Sequence, residues 1–156
     1  MNEFPLQIPQ RECNIAIVAA EFNHFIVQQL VDGALDALQR NRVSESNTTL
    51  AWVPGAFELP LAANELASAG GYDAVIALGA VIRGGTPHFD YVAGECSRGI
   101  AQVGIERGLP VIFGVLTTDN VDQALERAGS GAGNKGFDTA VAALQMIALL
   151  DRIRAG

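Results

Sequence analysis

The segment Gly84-Gly85-Thr86-Pro87-His88 carries the clearest chemical signal in this sequence of 156 residues. Two adjacent glycines let the backbone come close to a ligand. Pro87 can open a helix whose first N–H groups point outward, an arrangement that holds an anion. His88 would sit beside that anion, and an imidazole with a reference pKa of about 6.5 moves protons at neutral pH. The segment follows an apolar run, and three other such runs end in comparable residues: Glu21-Phe22-Asn23-His24, Pro54-Gly55-Ala56-Phe57-Glu58 and Thr117-Thr118-Asp119-Asn120. Aromatic rings, glycines, carboxylate and imidazole in these positions suit a flat polar ring with an anionic tail. His24, between two phenylalanines on an amphipathic stretch, is read as an ordinary surface residue.

Cations that could grip such a tail are few. Arg83, Arg127 and Lys135 are weighed because Lys135 is the only lysine in the chain. The glycine-rich stretch from Gly129 to Gly136 resembles a phosphate loop at first sight. It lacks the Ser or Thr after lysine and follows a helical pattern rather than a strand, so neither the nucleotide P-loop nor the dinucleotide fingerprint applies. A Schiff-base role for Lys135 is not expected, since Gly and Asn beside it provide no apolar pocket. Arg127 or Lys135 as a phosphate partner is consistent with the composition. Cys13, His24, His88 and Cys96 show no ligand spacing for zinc, and no Gly-x-Ser-x-Gly elbow follows a strand.

The elements that must position these residues follow a βαβ rhythm. Asn14–Ala20, Thr49–Val53, Ala74–Ile82 and Pro110–Thr117 are short apolar runs separated by segments of helical period. Runs such as Ala74-Val75-Ile76-Ala77-Leu78 do not alternate, so both faces must be covered, as in a parallel sheet between helices. Ile26, Leu30, Ala34 and Leu38 mark a first helix. Further helices are expected near Phe57–Ala69, with Pro60 in its first turn and Gly70-Gly71 at its end, and over Asp90–Arg107, Asp119–Arg127 and Phe137–Arg154. Ligands bind outside the carboxyl ends of parallel strands, where the four loops fall. If a helix starts at Asp119, Arg127 lies eight residues on, about 12 Å away at ~1.5 Å per residue. It should then serve the His88 of a neighbouring subunit. Residues 1–12, with Pro5 and Pro9, are read as an extended arm that another surface must order.

The size is that of one domain. A net charge of −7 argues against nucleic acid or an anionic membrane as partner. Hydrophobic content of 49% with 17% charged residues excludes a disordered chain and predicts self-association. Two cysteines form no framework, the start is not basic, and Val75–Ile82 is too short to span a bilayer, so a reduced, cytoplasmic, soluble protein is expected.

Phe22-Asn23, Trp52-Val53-Pro54-Gly55-Ala56-Phe57-Glu58, Gly79 to His88 and Gly129 to Gly136, in this order and spacing, resemble the 6,7-dimethyl-8-ribityllumazine synthase family of riboflavin biosynthesis, from Asn14 to about Leu150. The resemblance implies a single-domain, three-layer αβα sandwich over residues 13–156, with a four-stranded parallel flavodoxin-like sheet, the arm adding to a neighbouring subunit. It implies condensation of 5-amino-6-(D-ribitylamino)uracil with 3,4-dihydroxy-2-butanone 4-phosphate, releasing phosphate and water, without metal or cofactor. Carried over by position, Phe22 would stack on the pyrimidine, Ala56, Phe57, Glu58, Ala80, Val81 and Ile82 would hold the ring and ribityl chain, and Phe113 would complete that pocket. Gly85, Thr86 and Arg127 would grip the phosphate, with Lys135 in support, and His88 would be the general acid/base. The family's sites lie between subunits of a homopentamer, and the compact Gly129–Gly136 connection resembles members that close twelve pentamers into a sixty-subunit icosahedral shell, in some cases around riboflavin synthase. Glu21 replaces a common arginine, setting a negative charge beside the ring pocket, and Gly131 replaces a common lysine. The rival readings are a non-catalytic flavin- or lumazine-binding module and a shell scaffold of the same fold.

Overall fold

The computed structural model describes residues 1–129 and 133–156. The Gly131 substitution lies outside the described residues. Strands β1 (Ile15–Ala20), β2 (Thr48–Val53), β3 (Ala74–Ile82) and β4 (Val111–Thr118) form one sheet in the order β2-β1-β3-β4. All three pairings are parallel. The helices are α1 (His24–Arg40), α2 (Leu59–Ala69), α3 (His88–Arg107), α4 (Val121–Arg127) and α5 (Lys135–Ala155).

Alternate residues of the central strands enter two separate cores, which explains why their sequences do not alternate in polarity. Ile15, Ile17, Ile76 and Leu78 pack under α1, α4 and α5, against Leu30, Ala124 and Leu144. Ala16, Val18, Val75 and Ala77 pack under α2 and α3, against Leu59 and Ile100. The sheet is thus the middle layer of a sandwich, with α3 on one side and α4 and α5 on the other. Cys13 lies in the first core and Cys96 in the second. Burial pushes the Cys96 thiol up to about 12, so neither position offers an activated thiolate.

Cap chemistry sets the helix starts. Asn120 accepts a hydrogen bond from Gln123 N at 2.9 Å, so α4 starts at Val121 rather than Asp119. Asn134 accepts one from Phe137 N at 3.0 Å, starting α5 at Lys135, two residues before the periodic pattern does. α3 begins at His88, directly after Pro87, and α2 follows a 3-10 turn over Ala56–Glu58. α1 and α5 cross in close contact at Gly136, where a Cβ would overlap the Leu30 carbonyl.

β2 is an edge strand and is only partly covered: Leu50 and Trp52 stay 38% and 37% exposed. Phe22, Phe57, Leu61, Tyr91 and Ile105 are exposed as well, so a single copy leaves much apolar surface open. Residues 1–14 form neither helix nor strand. The arm runs along its own chain's α5: Arg11 bonds Asp151 at 2.8 Å and Asp73 at 3.0 Å, and the Arg152 guanidinium lies 5.1 Å from the Phe4 ring centre. The Arg11 guanidinium holds the Asp151 carboxyl below its ordinary range. Among the described residues no helix is long and apolar enough to cross a membrane.

Candidate active site

The carboxyl ends of all four strands lie at one edge of the sheet, and the loops that follow them converge there. The β3 ladder is extended one residue past the strand, where Arg83 N donates to Thr118 O at 2.8 Å. The Arg83 side chain then fixes the root of the next loop: Nε donates to Asp119 Oδ1 at 3.1 Å, Nη1 lies 3.7 Å from Asp90 Oδ1, and the guanidinium sits 4.4 Å from the Phe89 ring centre. This is an ion-pair and cation–π bracket joining β3, α3 and the β4–α4 loop.

Beside that loop is a cavity of about 250 Å³. Ala80, Val81 and Ile82 of β3 form its apolar floor, with Ala80 and Val81 buried. Phe22 and Ala56 wall one side, Gly84, Thr86 and His88 another, and Phe89 and Val92 of α3 complete it. The Phe22 ring is 72% exposed and faces open space. Its loop is tied down by Glu21 N to Val53 O at 2.7 Å and Phe22 N to Pro54 O at 3.0 Å. Asn23 adopts a left-handed conformation, φ 63°, and its Nδ2 donates to Ala80 O at 2.8 Å. Asparagine tolerates that region, which lets the chain turn sharply from β1 into α1.

Of the residues selected from sequence, Phe22, Ala56, Ala80, Val81, Ile82, Thr86 and His88 meet in this one cavity. Phe57 and Glu58 are neighbours of Ala56 in the 3-10 turn but are exposed and do not line it. Gly84 rather than Gly85 reaches it. Phe113 does not complete it within the chain: it pairs with Ala77 near the start of β4 and packs toward the α2/α3 core. The cause is register, because the floor residues Ala80 to Ile82 face Leu116 to Thr118, three strand positions further on.

Arg127 and Lys135 line a different depression of about 290 Å³, with Glu126, Asn134 and Asp138. Arg127 ends α4 and Lys135 opens α5, on the face of the sheet opposite α3, so neither cation shares a cavity with the His88 of its own chain. Both are exposed, and among the described residues neither forms an ion pair. Asn134 binds this corner together: its Nδ2 donates to Gln29 O at 3.0 Å and Ala128 O at 2.9 Å.

Sequence reasoning missed Phe89 and Val92, although Val92 stands one helical turn beyond His88, a spacing that could have found it. It also passed over His24, whose Nδ1 lies 3.2 Å from Glu21 Oε1 and whose ring stacks on Trp52. Among the described residues no three His, Cys, Asp or Glu side chains gather as a metal site would require. The cavity therefore offers an aromatic face, an apolar floor, loop glycine and hydroxyl groups, and one imidazole. Such a set can bind a flat ring and move protons next to it.

Residues 12–151 match the sequence pattern of 6,7-dimethyl-8-ribityllumazine synthase. The matched stretch contains all four strands and every loop around the cavity, and with nearly the whole length covered, the chain belongs to the 6,7-dimethyl-8-ribityllumazine synthase family of riboflavin-biosynthesis transferases.

Proposed function

We propose that the cavity at the carboxyl ends of the strands receives the pyrimidine of 5-amino-6-(D-ribitylamino)uracil, and that two copies of the chain build each complete site. The family reaction joins this amine to 3,4-dihydroxy-2-butanone 4-phosphate and releases phosphate and water. Phe22 stacks on the ring, a contact worth about 0.5–1.5 kcal/mol beyond its area. Ala80, Val81 and Ile82 present strand backbone to the ring and ribityl chain, with Ala56, Phe57 and Glu58 from the adjoining turn. Gly85 and Thr86 offer loop donors to the phosphate. His88 shuttles protons through imine formation, phosphate elimination and ring closure, and general acid/base help of this kind contributes about 10²- to 10⁴-fold.

The observation that carries this reading is the shared cavity: the Phe22 ring and the His88 imidazole line one space with an apolar floor. Arg127, Lys135 and Phe113 reach the site of a neighbouring copy. The small-molecule substrates and oligomeric assembly belong to the family. The finer assembly is a homopentamer in which each arm, residues 1–12, stays held to its own α5 through Arg11 and adds its outer face to the next subunit, and twelve pentamers close into a shell able to associate with riboflavin synthase. Light scattering checks this, since five copies of 16.4 kDa weigh about 82 kDa and sixty about 980 kDa. A cytoplasmic setting suits two cysteines held in separate cores.

The direct test supplies both substrates and follows lumazine fluorescence and free phosphate. Turnover is expected, with His88→Ala and Arg127→Ala each strongly impaired. Binding without phosphate release would replace this reading by a flavin- or lumazine-binding module, and neither binding nor release by a scaffold.

A further inference from the structure

Glu21, His24 and Trp52 surround the cavity's aromatic wall without lining the cavity. Glu21 Oε1 and His24 Nδ1 are 3.2 Å apart. The His24 ring lies on Trp52 with centroids 4.9 Å apart and planes at 36°. The two paired residues stand three positions apart and enclose Phe22 and the left-handed Asn23 between them. Because Phe22 is 72% exposed, little packing defines where its ring rests. The loop defines it, through the two backbone bonds to the β2 end, the Asn23 bond to β3, and this side-chain bridge.

We propose that the Glu21–His24 bridge, braced on Trp52, is a positioning device that sets the Phe22 ring for the pyrimidine and so tunes the affinity for the aminouracil. The inference rests on Phe22 holding that ring. It also gives the unusual Glu21 a use. The carboxylate is engaged by the imidazole on the β2 side, outside the cavity, so the negative charge expected beside the pocket is directed away from it. Glu21 and His24 act through Phe22 and touch no reacting atom. An exposed pair adds little to folding, but holding a reactant-binding ring in one place acts on binding.

The test uses the assembled protein and compares wild type with Glu21→Ala, His24→Ala, the double alanine variant and Glu21→Gln. In each single alanine variant the KM for the aminouracil should rise about 2- to 5-fold, the range of exposed-pair coupling, and the double variant should be no worse than either single. The KM for the butanone phosphate and kcat should stay at wild-type values. Glu21→Gln keeps the side-chain length but removes the charge from this 3.2 Å contact, and should raise the aminouracil KM as Glu21→Ala does. Trp52 is the only tryptophan, so its emission, titrated with the aminouracil alone, reads binding apart from turnover and should weaken by the same factor. Unchanged aminouracil KM in both alanine variants, additive effects in the double variant, or equal rises in both KM values would each overturn the proposal. Phe22→Ala is the control for the underlying reading: if it leaves the aminouracil KM unchanged while wild type turns over, the pocket assignment fails and the bridge loses its function with it.

Discussion

Refolding a one-to-one mixture of His88→Ala and Arg127→Ala chains should restore about a quarter of wild-type activity per site. The fraction follows from where the two side chains sit. His88 opens α3 on one face of the sheet, while Arg127 ends α4 on the other and lines a separate depression. On the proposed two-copy reading, a complete site takes its imidazole from one copy and its guanidinium from the next. In a head-to-tail ring assembled at random, half the copies retain His88 and half of their neighbours retain Arg127, so about one site in four is whole, whatever the ring size. The parents are poor enough for this to be visible. Removing the general acid/base costs about 10²- to 10⁴-fold. Losing a charge-assisted phosphate contact costs about 1.5–3 kcal/mol, or roughly 10- to 150-fold. Background is therefore at most about a tenth, well under a quarter. The assay is lumazine fluorescence with phosphate release per subunit, and separately assembled variants blended without refolding serve as the baseline. Activity equal to the average of the parents in properly refolded mixtures would mean that His88 and Arg127 of one chain meet, and the two-copy site would be refuted.

Asn134→Ala should lower stability by about 1–3 kcal/mol, because it orphans the carbonyls of Gln29 and Ala128 and the amide of Phe137. Thermal melting checks this, and the KM for the butanone phosphate should rise more than that for the aminouracil, since Asn134 shapes the Arg127 and Lys135 corner. The arm should respond to acid. The Asp151 pKa is depressed by Arg11, so the bond contributes fully above the unfolded carboxyl value of about 3.9 and is lost as pH falls below it. Both partners are exposed, so the effect is local, under about 1 kcal/mol. Proteolytic nicking within residues 1–12 should be constant from about pH 5 to 8 and rise below about pH 4, whereas Asp151→Asn should raise it at neutral pH.

The strands were legible because burial on both faces removes polar alternation: each observed strand lies within one residue of its apolar run at either end. Helix starts were less legible, since periodicity reports the buried stripe while the first turn obeys its cap. Asn120 and Asn134 moved α4 and α5 by two residues in opposite directions, each by offering a side-chain oxygen to an amide three residues on. β2 shows a different limit. Its Leu50 and Trp52 read as core residues in composition, yet a sheet edge in one copy gives them only half a cover.

The site divides along the same line. Phe22, Ala80, Val81, Ile82, Thr86 and His88 could be placed from sequence because a parallel sheet delivers every strand's carboxyl end to one edge. Phe113, Arg127 and Lys135 are not assembled with them in a single copy: β4 register carries the first away, and α4 and α5 cover the opposite face. The proposed chemistry calls for a second chain. Among the described residues no lysine or arginine lines the cavity beneath His88, and the nearby Arg83 is engaged by Asp119 and Asp90. A doubly charged phosphate next to an apolar floor and no cation would be held only by loop dipoles, which fall short of a charge-assisted grip by a factor of about two per bond. On the proposed reading, the cations that this acidic chain leaves exposed at the opposite layer supply that grip when the next copy docks, and the reaction and the assembly then stand or fall together.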